Sequence, residues 1–355
     1  MEYEELIQLV REFPDRSTKW LLGSPENLRG FLLAVVSDIA QGIDYTRLVK
    51  LERTFISEKF RKREADMVFT APFIDEKDGT TREIIIFLLI EHQASVDPTM
   101  TFRVLYYLTQ IWNTQRDEFE SRELPLHQWR FNPILPVVFY TGSQRWDQLL
   151  DMSQLMELPD SMEHYVPKIE IEFFNLKATP PEKLVEWDHP IGWVMRVMQK
   201  EDATKEEFKD ALKSTIEHLE KLSIEEQANW GKLIYFILAF IHHRRSVAER
   251  SELLKTVNTA IADTNRRKES ENMVKTIAQA LIEEGEETGE KRGEKRGAIG
   301  AKQDDLIMIL RERFEVTQED IVKKIRSINR IEELDKLIKR AATSSTFEEV
   351  GIRKK

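Results

Sequence analysis

Cysteine is absent from the 355 residues. Its absence excludes disulfides and thiolate metal sites, fits a reducing compartment, and leaves carboxylates and histidines as the ligands for any metal. Long apolar stretches are missing too: the run Ile84 to Ile90 falls far short of the ~20 residues a membrane helix needs, so no membrane partner is expected. The opening MEYEELIQLVREF is acidic and amphipathic, without the basic and apolar regions of a signal peptide, and a cytoplasmic protein is expected. No P-loop, GxSxG, HExxH or zinc-spaced cluster occurs. Excess positive charge is also lacking. The net charge is −10, which argues against a protein that coats nucleic acid. Residues 1–200 hold 23 Lys+Arg against 32 Asp+Glu, and the rest 30 against 31. A site built of carboxylates can sit in such a chain, provided local basic patches hold phosphates.

What is present is a soluble, charge-rich chain, 41% hydrophobic and 33% charged, long enough for two or more structural units. Residues 1–42 read as two helices, the second opening on Ser24 as N-cap with Pro25 at its first position. DMVFTAPFI (66–74) and EIIIFLLIEHQ (83–93) read as strands around the turn-rich DEKDGTTR. A helix over 98–119 follows, with Asp97 as its N-cap. NPILPVVFYTG (132–142) and KIEIEFFNL (168–176) read as further strands. From about 182 the pattern is helical: 205–222, 225–245 and 247–284. GEETGEKRGEKRGAIG (285–300) reads as a solvated linker or a weak, glycine-loosened helix. Beyond it lie short amphipathic helices carrying Leu306, Ile309, Leu310, Phe314, Ile321, Ile325, Ile328, Leu334, Leu337 and Ile338.

The chemistry concentrates in 61–93. With the hairpin loop centred between Asp78 and Gly79, Asp66 faces Glu91, and Gln93 shares the face of Glu91 because strand side chains alternate. Like charges directly opposite are destabilising, and more so at the end of a buried strand. A bound divalent cation would relieve the conflict. Mg²⁺ suits one or two carboxylates plus a substrate phosphate. The bland alternative pairs Asp66 with the basic run Arg61-Lys62-Arg63 and lets Glu91 pair with a lysine or cap the next helix.

The segments READMVFTAPF, IIIFLLIEHQASVDPTMTFRVLYYLTQIW and PILPVVFYTG resemble the Rpn family of recombination-promoting nucleases, also called YhgA-like transposases, over roughly residues 10–180. The resemblance implies the PD-(D/E)XK nuclease superfamily. It implies an α/β fold, with a restriction-endonuclease-like core in which helices flank a mixed β-sheet, followed by an all-α C-terminal region. The nuclease-like domain is expected at 1–180, and the sequence pattern beyond it divides into a helical extension at 181–284, a Gly- and charge-rich linker at 285–300 and a small helical module at 301–355. Asp66 and Glu91 become metal ligands, and Gln93 stands where that superfamily usually has lysine. Glutamine brings no positive charge, which leaves Lys19, Lys62 or Arg103 to supply one. PDRSTK resembles the family's opening element with Pro14 in place of a histidine; Asp15 and Lys19 remain, and a plain helix-start ion pair explains them equally well.

The activity implied is Mg²⁺-dependent cleavage of DNA phosphodiesters, linked to recombination or mobile elements. One alternative is an inactive DNA-binding or assembly protein that keeps the fold; another is a hydrolase of a small phosphorylated substrate. Arg103 and Tyr107, at i and i+4, could aim a guanidinium at a phosphate or be ordinary helix residues. Tyr140 could line the cleft or be core with a satisfied hydroxyl. Arg53, Lys59, Arg61, Lys62 and Arg63 form a candidate phosphate patch diluted by Glu52, Glu58 and Glu64. His242-His243-Arg244-Arg245 would complement a helix C-terminus rather than bind metal. The C-terminal helices are a candidate for self-association.

Overall fold

The computed structural model describes residues 8–10, 13, 16–51, 66–75, 77–91, 96–316 and 318–352. It contains two compact units, Met1–Ala278 and Gln279–Lys355. The helical residues 181–278 therefore belong to the same unit as the strands.

Helix α1 (Ser17–Leu22) is followed by α2 (Pro25–Ala40). The expected start of α2 is present: Ser24 Oγ accepts the Asn27 N–H at 3.3 Å, with Pro25 at the first position. Pro25 suits that place because its missing N–H would have had no helical partner. α1 is a further helix, lying between the two that the sequence pattern indicates.

Five strands follow: β1 (Val49–Lys50), β2 (Asp66–Ile74), β3 (Thr81–Glu91), β4 (Ile134–Tyr140) and β5 (Glu172–Asn175). They form one mixed sheet in the order β1-β2-β3-β4-β5. β2 runs antiparallel to both of its neighbours, β1 and β3, whereas β3, β4 and β5 are parallel. The long apolar run in β3 fits its central position, where both faces are covered.

Helix α3 (Met100–Ser121) joins β3 to β4 and covers one face. Its Met100, Val104, Tyr107, Leu108 and Ile111 pack with Val68, Ile85, Phe87, Leu89, Val138 and Tyr140. The helix starts two residues later than expected. Asp97 closes a turn before it, its Oδ1 accepting the Thr99 N–H at 2.9 Å, so it is not the N-cap. The opposite face is covered by α2, where Phe31 meets Phe139 at 4.9 Å and Phe174 at 5.7 Å between ring centres.

A short helix α4 (Pro181–Leu184) leads to α5 (Pro190–Gln199), α6 (Lys205–Leu219), α7 (Gln227–Arg244) and α8 (Val247–Ala260). A Cβ on Gly30 of α2 would lie 2.0 Å from Nδ1 of His189, the N-cap of α5. Glycine thus lets α2 take the imidazole against its backbone.

Helix α9 (Thr264–Phe314) follows a break after Ala260, so the expected 247–284 segment is two helices. α9 runs through 285–300 without interruption. Residues 285–300 are thus helical rather than an irregular linker. No atom lies within 4 Å of a Cβ built on Gly285, Gly289, Gly293 or Gly297.

In the second unit, the C-terminal part of α9 packs with α10 (Glu319–Arg326), α11 (Ile331–Thr343) and α12 (Phe347–Val350). Leu306, Leu310, Ile321, Ile325 and Leu334 lie in this core. Among the described residues, no helix is long and apolar enough to cross a membrane.

Candidate active site

The β2–β3 hairpin carries the two acidic positions, Asp66 at the first residue of β2 and Glu91 at the last of β3. Asp66 pairs with Leu89, and Ile74 with Thr81. The expected pairing of Asp66 with Glu91 is therefore two residues out of step. The reason lies in the turn. Asp75 N–H donates to the Thr80 carbonyl at 3.0 Å and Gly79 N–H to the Asp75 carbonyl at 2.8 Å. Asp78 Oδ1 accepts from the Thr80 N–H at 2.9 Å, and Gly79 has φ +67°. Gly79 thus takes the left-handed conformation as a late residue of a longer loop, instead of at the centre of a tight turn.

A shift of two residues keeps every side chain on its face, whereas a shift of one would have reversed them all. Positions 66, 89 and 91 therefore remain on one side of the sheet, with 91 diagonal to 66. This is the side covered by α3. On its other edge Glu91 is in register with Tyr140, and Tyr140 with Asn175. The acidic positions thus stand at the carboxyl ends of the parallel strands, where open α/β sheets bind ligands.

Gln93 lies outside the described residues, as do Asp15, Arg53, Lys59, Arg61, Lys62, Arg63 and the acidic residues among them. Lys19 lies in α1, next to Gly23, whose Cβ would meet Met67. Met67 alternates with Val68 and so faces the layer opposite α3.

Arg103 is on the α3 face but is only 6% exposed. Its Nη1 donates to Asp97 Oδ2 at 2.8 Å. Burial raises the Asp97 carboxyl, but hydrogen bonds from Thr99 and Arg103 outweigh it and hold the group below the usual carboxylate range. The guanidinium is thus part of a buried ion pair, and it faces solvent on neither of the two readings offered by its place on the helix. Tyr107 is fully buried against Phe87 at 5.3 Å. Tyr140 is buried as well, its ring 4.9 Å from Trp146 and its hydroxyl donating to the Gln144 carbonyl at 2.9 Å. Both tyrosines are core residues.

Sequence reasoning missed Gln144. Its Oε1 accepts the Val96 N–H at 3.0 Å across 48 residues of chain, and no spacing rule signals that. Asn175 Nδ2 donates to the Trp146 carbonyl at 2.8 Å, and Thr101 Oγ1 to the Leu150 carbonyl at 2.5 Å. These bonds tie the chain after β4 to β5 and to the start of α3.

The two histidines of α7 are held in the neutral form by burial. Burial holds the His243 imidazole down at about 4 and lowers His242 too, and His243 stacks on Phe13 at 4.7 Å. Both are neutral near pH 7, so only Arg244 and Arg245 bring charge to that helix end. Among the described residues, no group of three or more His, Asp or Glu is placed to hold a metal.

The YhgA-like family model, described as "Putative transposase, YhgA-like", matches residues 14–229. The chain belongs to this family. It is 28% identical to the Recombination-promoting nuclease RpnD of Escherichia coli O157:H7 over 131 residues, 37% of this chain and 45% of that protein. It is 27% identical over 129 residues, 36% of this chain and 38% of the other, to the Inactive recombination-promoting nuclease-like protein RpnE of Escherichia coli strain K12. The matched stretch thus spans less than half of either curated relative. No solved structure matches the chain.

Proposed function

We propose that the protein is a divalent-cation-dependent DNA endonuclease of the PD-(D/E)XK type, acting in the cytoplasm on DNA undergoing recombination. The observation that carries this reading is the hairpin register: positions 66 and 91 share the α3-covered face at the carboxyl ends of the parallel strands. Asp and Glu at those positions offer hard oxygen donors, the chemistry that Mg²⁺ takes. Asp66 and Glu91 would hold the cation. When bound, the ion supplies Lewis acidity toward the scissile phosphate and acidifies a water. Gln93 would orient that water or a phosphate oxygen by hydrogen bonding. Arg61, Lys62 and Arg63 would hold the DNA backbone as point contacts.

The test is nicking of supercoiled plasmid by purified protein with Mg²⁺ or with chelator, comparing wild type with Asp66→Ala. Cleavage that needs Mg²⁺ and is lost in the variant supports the reading. Equal cleavage by both proteins removes it.

A second reading has its own support. One relative is named an inactive nuclease-like protein, and the Arg103 guanidinium is engaged with Asp97. In that reading the chain keeps the fold and binds DNA without cutting it. Plasmid retarded in a gel but left intact at every metal concentration would favour it.

A further inference from the structure

We propose that the groove between α8 and the opening turns of α9 holds the phosphodiester backbone of DNA, as a contact separate from the β2–β3 hairpin; the proposal rests on the DNA-binding half of the reading above and not on cleavage. The groove measures about 510 Å³ and is lined by Ser251, Leu254, Lys255, Asn258, Thr259 and Arg267. Two cations and three neutral polar side chains thus accompany one leucine, with no carboxylate among them. These residues lie beyond the 14–229 stretch that the family model matches.

In a chain of net charge −10 a groove without acids has a cause, and it lies in how α8 distributes its charges. Ser251, Lys255 and Asn258 follow at i, i+4 and i+7 and share one face. The acids of α8 fall on another. Glu252 pairs with Lys205 at 2.8 Å and Lys209 at 2.6 Å, both on α6. Glu249 pairs with Arg245 at 3.0 Å. On α9, Asp263 accepts the Asn265 and Arg266 N–H groups at 2.8 and 2.9 Å, Glu269 accepts the Gln227 amide at 2.8 Å, and Glu271 lies outside the lining. Among the described residues neither Lys255 nor Nη1 of Arg267 has a protein acceptor.

The donors of the groove are held ready. Arg267 Nε and Nη2 both donate to the Ile261 carbonyl, at 3.1 and 2.6 Å, which fixes the guanidinium and leaves Nη1 for a ligand. A guanidinium already in place loses little freedom when it binds. Asn258 Oδ1 accepts from Ser270 Oγ at 3.1 Å, and Ser270 is fully buried. The acceptor end of that amide is therefore occupied, and Nδ2 remains as a donor. With the Lys255 ammonium and the Ser251 hydroxyl, the groove presents positive charge and N–H and O–H donors, the complement of a phosphodiester. Its open form suits a backbone passing along it, whereas small-molecule sites enclose their ligand. α8 packs on α6, α6 on α5 and α5 on α2. The groove thus belongs to the helical layers on the side of the sheet away from α3, and positions 66 and 91 face the α3 side.

The test is binding of a fluorescent DNA duplex to the full chain, followed by anisotropy with chelator present over about 50 to 200 mM salt. Ser251 and Lys255 are exposed, so substitutions there leave the fold intact, as circular dichroism will verify. Lys255→Gln is expected to weaken binding about fivefold near 0.15 M salt and to lower the slope of log affinity against log salt by about 1, the release of one counterion. Lys255→Arg is expected to keep both at wild-type values. Ser251→Glu, which puts a carboxylate into the groove, is expected to weaken binding further. Lys213→Gln removes an exposed lysine of α6 outside the groove and is expected to change neither quantity. Wild-type affinity and slope in Lys255→Gln overturn the proposal and leave the DNA reading standing. An equal loss in Lys213→Gln overturns it as well, because net charge alone then accounts for the effect. Lys255-dependent binding of anionic-lipid vesicles or of inorganic phosphate, with DNA affinity unchanged in Lys255→Gln, overturns it in favour of those ligands. Failure of wild type to bind DNA overturns the DNA reading, and this proposal with it.

Discussion

Asp66 stands opposite Leu89 across the β2–β3 ladder. Glu91 therefore lies diagonal to Asp66 on the same face, two residues beyond its direct partner. Neighbours at that diagonal are separated by roughly 7–8 Å between Cα atoms, within reach of longer side chains.

The register can be checked chemically, because the chain has no cysteine of its own. Ile74 is paired with Thr81 near the turn, where Ile74 is half exposed. Directly opposed residues have Cα atoms about 4.5–5.5 Å apart, inside the range a disulfide spans. Ile74→Cys with Thr81→Cys is expected to oxidise to an intramolecular disulfide, read by a gel shift under reducing and non-reducing conditions. Ile74→Cys with Glu83→Cys, which the tight-turn register would bring together, is expected to stay reduced.

The seat of His189 on Gly30 predicts a steep cost for one methyl group. In Gly30→Ala the Cβ would sit 2.0 Å from the imidazole, closer than any van der Waals contact. Either α2 or α5 must move. Overpacking of this kind costs about 1–3 kcal/mol, occasionally more. Chemical denaturation should show the unfolding free energy falling by that amount, with a lower midpoint and the slope unchanged.

The same histidine makes stability depend on pH. His189 is 9% exposed, and burial, aided by Arg29, depresses its pKa from 6.5 to about 4. The unfolded chain therefore binds a proton at higher pH than the folded one. The contribution is complete above about 6.5 and is lost as pH falls from there to about 4, to a limit on the order of 3 kcal/mol. His189→Asn keeps an N-cap acceptor for the Ile191 N–H and cannot titrate. Its stability should fall less than that of wild type between pH 6.5 and 4.

The Asp97–Arg103 pair predicts an asymmetry. The Arg103 side chain is 7% exposed and that of Asp97 is 18% exposed. Removing the carboxylate takes the Asp97 ion-pair partner from a buried guanidinium, and breaking a buried pair costs about 3 kcal/mol or more. Removing the guanidinium leaves an aspartate that still accepts from Thr99. Asp97→Ala should therefore lower the unfolding free energy more than Arg103→Met does. Equal losses in the two variants would contradict the account.

Much of the fold could be read from local chemistry. The strand at 66–74 is observed with the bounds its pattern indicated, and Ser24-Pro25 marked the start of α2. The apolar positions of the C-terminal helices reappear in their core. These features depend on near neighbours in the chain. What escaped depends on distant ones or on details of a turn. Asp-Gly suggested a tight turn, but side-chain bonds of Asp75 and Asp78 set a longer loop. The charge of Arg103 suggested a phosphate ligand, and only the packing of α3 shows it buried against Asp97. Val96 and Gln144 meet because β3 and β4 lie side by side. The glycines at 285–297 suggested weak structure, whereas helix formation propagates through them.

The central claim is that Asp66 and Glu91 together hold one divalent cation. Calorimetric titration of Mn²⁺ into wild type, Asp66→Asn and Glu91→Gln, each verified as folded by circular dichroism, tests it most directly. The account predicts one bound ion per chain in wild type and loss of that binding in either variant. Binding of wild-type stoichiometry and affinity in both variants would contradict it.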